Sequence, residues 1–221
     1  MKTFLTAVSA ALLLAACASK PAPPDWQANA FSSLNGFTSA YLSGNTRLAD
    51  CEFARVRLEI ASTGRADLLA RAELTRCAVR VASLELDDCA GYLALAPDAR
   101  PEEQTYAAYL SGRWSGLNAA LLPPQHRRVV LSPASAPSVL LEIEDPLARL
   151  VAAGALLQSQ RLTPADIGVA TDTASAQGWR RPLLAWLGLQ LKRAQDGGEV
   201  NAAKRLQRRI DLVLQSTPKN Q

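Results

Sequence analysis

Two apolar stripes run along residues 65 to 86, and no other feature limits the fold so tightly. Leu68, Ala72, Val79 and Leu86 recur at helical spacing on one side, and Ala70, Leu74, Cys77, Val81 and Leu84 on another. A helix that is apolar on two faces has to be sandwiched between neighbours. Residues 46 to 62 repeat the pattern, with Ala49, Phe53, Val56 and Ile60 on one face and Cys51, Ala54, Leu58 and Ala61 on the opposite one. The chain is 48% hydrophobic but only 5% aromatic. Alanine and leucine supply most of that apolar share, which favours packed helices over sheets. The expected fold is all-α, built either as helical-hairpin repeats or as an irregular helical bundle.

Turn and cap residues divide the chain into elements. Trp26, Ala30, Phe31, Leu34, Phe37 and Tyr41 mark a first helix over 25 to 42, broken by Ser43-Gly44-Asn45. Thr46 can cap a second helix that Thr63-Gly64 ends, and the third, from 65, should stop near Asp87-Asp88. Cys89 to Leu95 reads as a short helical piece. Pro101-Glu102-Glu103 opens another helix, with proline in the first turn and acids facing the dipole, expected to run to Leu122. Residues 123–137, rich in Pro and Ser, read as a loop between an N-terminal half, 26–122, and a C-terminal half, 138–221. Within this loop Val129-Val130-Leu131 reads as extended chain or a short strand. Asp145-Pro146 opens the next helix, and Thr163-Pro164-Ala165-Asp166 is an N-cap signature with proline at the first helical position. Helices over about 182–195 and 199–214 follow, separated by Gly197-Gly198.

The N-terminus carries a different kind of signal. Lys2 precedes a mostly apolar stretch from Phe4 to Leu14, too short to span a bilayer, and Leu14-Ala15-Ala16-Cys17 closes it. That ending resembles the lipobox of the bacterial lipoprotein family. The resemblance implies a signal peptide over 1–16, cleavage before Cys17, and acyl chains, palmitate among them, on Cys17; two chains already anchor stably. It also implies a lipid-anchored protein facing the periplasm. Ala18 rather than Asp favours the outer membrane under the enterobacterial sorting rule, with the inner membrane as the other site. Residues 17–25 then form a proline-rich tether, extended at ~3.1 Å per residue.

A period of 34 residues aligns Leu150 with Leu184, Gly154 with Gly188 and Leu157 with Leu191. Trp186-Leu187-Gly188-Leu189 followed by Ala202 and Leu206 resembles the tetratricopeptide family, and so does Tyr41-Leu42-Ser43-Gly44 followed by Ala49 and Phe53. Gln190 and Arg193 depart from that family's glycine and tyrosine. The likeness implies stacked helical hairpins, with Trp186 packed between them.

Little in the chain points to chemistry. There is no Gly-x-Ser-x-Gly, phosphate loop or His-Glu-x-x-His. His126, the single histidine, reads as a solvated loop residue, and Asp145 as a helix cap. No enzyme activity, cofactor or metal is expected. Three cysteines remain besides Cys17. Cys51 and Cys77 lie equally far from Gly64 on either side of a turn, so they are the expected disulfide, with Cys51–Cys89 as the main alternative.

Charge is uneven. Residues 179–221 carry nine Lys or Arg against three acids. On the last helix Ala203, Leu206, Ile210 and Val213 face inward, while Lys204, Arg205, Arg208 and Arg209 face out as the expected partner-binding surface. The function expected is a membrane-anchored scaffold for an envelope protein partner. A binding protein for a small amphiphilic ligand held between helices is the alternative, an envelope enzyme a third. Nucleic acid is excluded by the expected compartment.

Overall fold

The computed structural model describes residues 23–133 and 138–216. Among them all regular structure is helical. An opening hairpin of α1 (Asp25–Ser43) and α2 (Thr46–Ala61) leads into α3 (Ala66–Ala82), a one-turn α4 (Ala90–Leu93) and α5 (Pro101–Leu110). Then come α6 (Pro124–Leu131), α7 (Pro146–Gln158), α8 (Pro164–Ala176), α9 (Arg180–Asp196) and α10 (Val200–Gln215). The lipobox, Cys17 and the start of the tether lie outside the described residues.

The third helix is sandwiched as its two stripes require. Ala72 and Val79 join Phe37, Phe53 and Val56 in a smaller core beneath α1 and α2. Leu74, Cys77, Val81 and Ala82 face a larger core shared with α5 to α9. Helix α7 crosses α3 closely: a Cβ on Gly154 would lie 2.4 Å from the Val81 carbonyl oxygen, so only glycine allows the approach.

Several caps form as their residues predict. The Asp145 carboxylate accepts from the Ala148 N–H at 2.6 Å, opening α7. Thr163 and Asp166 cap α8 reciprocally, with backbone bonds of 3.2 and 2.9 Å. At α5 the Glu103 carboxylate reaches back to the Arg100 N–H at 3.0 Å.

Elsewhere the expectations need correction. The helix from Pro101 stops at Leu110, not Leu122, because Gly112 turns the chain at φ +70°. There the backbone runs against Gln158 so closely that a Cβ would sit 2.4 Å from its carbonyl carbon. The third helix ends at Ala82, where Leu84 takes the left-handed conformation and the Glu85 N–H returns to the Arg80 carbonyl at 3.0 Å. The described part of the expected loop, residues 123–133, is largely helical. Pro124 supplies the first position of α6, and the turn it starts places His126 and Val129 on one buried face. One core takes Leu74, Leu110 and Leu122 from before this segment and Leu150, Ile167 and Trp186 from after it.

The disulfide joins Cys77 to Cys89, with alpha carbons 5.1 Å apart, and Cys51 is free and exposed. The expected Cys51–Cys77 pair fails on direction. The face of α2 that meets its neighbours holds Ala49, Phe53, Val56 and Ile60, and Cys51 points away from it. Cys89 reaches Cys77 because Asp88 and Cys89 both take positive φ and fold the chain back over α3.

Helices α7 and α9 start 34 residues apart, at Pro146 and Arg180, yet their matched glycines differ: Gly154 sits in a helix crossing and a Cβ on Gly188 would meet nothing within 4 Å. Helix α3 packs on α7 and α1 on α9, contacts between elements distant in sequence. A solenoid stacks each repeat only on its neighbours. The architecture is all-α with helical hairpins, and the contacts do not single out a tetratricopeptide stack. One side chain clasps the distant ends: Arg181 donates to the Tyr41 carbonyl at 2.8 Å, Glu85 at 3.1 Å and Thr46 at 2.7 Å, and lies over the Tyr41 ring.

Candidate binding cleft and basic helix face

Shortening α5 leaves an opening between it, α3 and the segment leading into α6. This cleft, of about 440 Å³, has Arg71, Leu74 and Thr75 from α3 on one side. Glu102, Glu103 and Tyr106 come from α5, and Leu121, Leu122, Pro123, Pro124 and Arg127 close the third wall. Small-ligand sites commonly occupy 300–1,000 Å³ or so.

Its polar groups are unequally engaged. Glu103 is almost fully buried and lies between two cations: Arg71 donates to it at 3.1 and 2.9 Å, and Arg100 at 3.2 and 2.9 Å. Arg127 donates its Nε–H to the Leu122 carbonyl at 2.9 Å, which fixes the guanidinium beside the cleft. It makes no ion pair among the described residues.

An aromatic group lies beneath. Tyr106 and Tyr109 stack with centroids 6.0 Å apart, and Tyr109 stacks on Trp114 at 5.4 Å. Trp114 donates to the Tyr109 carbonyl at 2.9 Å, and Arg161 sits over its ring. Burial raises the pKa values of both tyrosines. His126 is not the solvated loop residue expected. It is only 2% exposed, its Nδ1 3.2 Å from the Tyr109 hydroxyl. Burial holds its pKa down to about 4, partly opposed by the charge of Asp145, so at neutral pH it is uncharged. Sequence placed His126 in a polar, proline-rich context. Its spacing of three residues from Val129 was the available sign of a buried helical face.

The expected partner-binding residues lie together on α10. Lys204, Arg205, Arg208 and Arg209 are all exposed on α10, and none makes an ion pair among the described residues. Leu212, 68% exposed, lies among them by helical spacing. No residue of α10 is fully buried; Leu206, Ile210 and Val213 rest half-covered against the larger core. Trp186 is wholly buried, and its Nε1 donates to the Ala82 carbonyl at 3.0 Å, joining α9 to the end of α3.

No family model, curated protein or solved structure matches the chain. Among the described residues no cluster of His, Cys, Asp and Glu could hold a metal, and no helix is long and apolar enough to cross a membrane.

Proposed function

We propose that this chain is a lipoprotein of the bacterial envelope, anchored through Cys17 on the periplasmic face of the outer membrane. Its helical body serves as a docking scaffold for another envelope protein, through the outer face of α10. The observation that carries the docking role is the set of four exposed cations on one helix face, without an ion pair among the described residues, and with Leu212 exposed among them. Such a face attracts an acidic surface over a Debye length of ~8 Å and offers it an apolar contact on arrival. The anchor rests on Leu14-Ala15-Ala16-Cys17 and the proline-rich run that follows.

Crosslinking in living cells tests the reading. Reversing Arg205 and Arg208 to Glu should reduce a salt-sensitive crosslink to an acidic envelope protein, while melting stays within about 0.5 kcal/mol of the parent. In the same cells Cys17→Ser should lose both palmitate label and membrane association. A reversed variant that keeps every crosslink at parental yield would refute the docking role. A Cys17→Ser chain still labelled with lipid would refute the anchor.

A further inference from the structure

We propose that the cleft between α3, α5 and α6 binds a small amphiphilic carboxylate, with its head on Arg127 and its apolar body against Leu74, Leu122 and Pro123. This site is separate from the basic face of α10 and does not depend on it.

The cations of the cleft differ in what already satisfies them. Arg71 spends its Nε and one Nη on Glu103, and Arg100 holds the same carboxylate from the other side. Both guanidinium groups are thereby held on one carboxylate. Among the described residues Arg127 gives only its Nε–H, to the Leu122 carbonyl, and the bond aims the rest of the fork without neutralising it. Its position in the first turn of α6 adds to the imbalance, because the positive end of the helix dipole repels a cation there. Glu102, the other charge lining the cleft, sits in the first turn of α5, where the dipole favours an acid, and it also interacts with Arg100. The uncompensated charge in the cleft is therefore positive, and it belongs to a guanidinium suited to hold a carboxylate by two parallel bonds.

The walls specify the rest of the ligand. Leu74 and Leu122 are 2% and 1% exposed yet line the opening, so they form a floor fixed by the core. Pro123 and Pro124 add apolar surface without backbone N–H donors. An apolar floor beside Arg127, with the remaining charged side chains of the lining engaged elsewhere, favours a molecule with one charged end.

Titration calorimetry on the full chain with octanoate, 1-octanol and octylamine tests this. Octanoate should bind saturably, one per chain, with 1-octanol and octylamine each weaker by about tenfold, the scale of one charge-assisted contact. Arg127→Gln should reduce octanoate affinity by about tenfold and leave 1-octanol binding unchanged. Thr75→Trp, which fills the cleft from α3, should abolish binding of both, with helicity by circular dichroism confirming that each variant folds. Octylamine binding as tightly as octanoate, full octanoate affinity in Arg127→Gln, or no saturable octanoate binding in the parent chain would each overturn the assignment.

Discussion

Helices α2 and α3 carry the same signature, two apolar stripes on opposite sides, but only α3 has neighbours on both. Of its stripe residues Leu86, past the helix end, is exposed and Leu68 half-buried. On α2, Ala49, Phe53, Val56 and Ile60 are at most 7% exposed, whereas Leu58, on the opposite stripe, is 72% exposed and Cys51 is open to solvent. Helix α3 divides its stripes between the two cores. A stripe records that a face can be covered; the topology decides whether a neighbour arrives. Helix α2 packs chiefly on α1 and α3, and α10 chiefly on α9, so each presents an uncovered side. The interior helix shows the fold's requirement, and the outer helices show what the fold leaves open.

The largest effect should come where α9 seals the buried end of α3. Trp186 is wholly buried and bonded to Ala82, so Trp186→Ala should cost about 3–5 kcal/mol in urea unfolding. A loss below about 1 kcal/mol would show that the inner side of α3 lacks the cover described.

Acid should act next most strongly, through His126 in the same larger core. Its pKa is about 4 in the folded chain, against about 6.5 unfolded. Below the unfolded value the unfolded chain binds the extra proton first, so stability falls as the pH drops from about 6.5 to 4. The full loss from this group is about 3 kcal/mol. His126→Gln should flatten that part of the stability profile. An unchanged slope between pH 6.5 and 4 would place the histidine in water.

The same contrast separates what was legible in the sequence from what was not. The all-α class, the sandwiching of α3 and the caps at Asp145 and Thr163 depend on local spacing, and all were readable. The cysteine pairing was not, because equal distance from Gly64 fixes height along a hairpin and says nothing of which way Cys51 points. The cleft was hidden for a related reason. It exists because α5 stops at Leu110, ahead of the turn at Gly112, and that glycine is required by the Gln158 backbone, more than forty residues along the chain. Arg71, Glu103 and Arg127 come together only through that long-range packing. By contrast, the exposed cations of α10 followed directly from helical period, although nothing in the period says what they meet.

The smallest effect should fall on the open stripe of α2. Leu58→Ser removes an apolar side chain that is already in water, so unfolding stability should change by no more than about 0.5 kcal/mol. On α3 the comparable truncation Leu74→Ala, at a site 2% exposed, should cost about 2–5 kcal/mol. Cys51 gives an independent reading of the same surface. In the folded, unreduced chain a maleimide should modify Cys51 quickly and leave Cys77 and Cys89, joined to each other, untouched. Suppose instead that Leu58→Ser cost more than about 1.5 kcal/mol and Cys51 resisted labelling. A stripe of this kind buried in solution needs a cover, and a second copy of the chain would reveal itself by a protein-concentration dependence of both measurements. If both stayed constant on dilution, the cover would have to come from within the chain, and the difference drawn between α2 and α3 would fail.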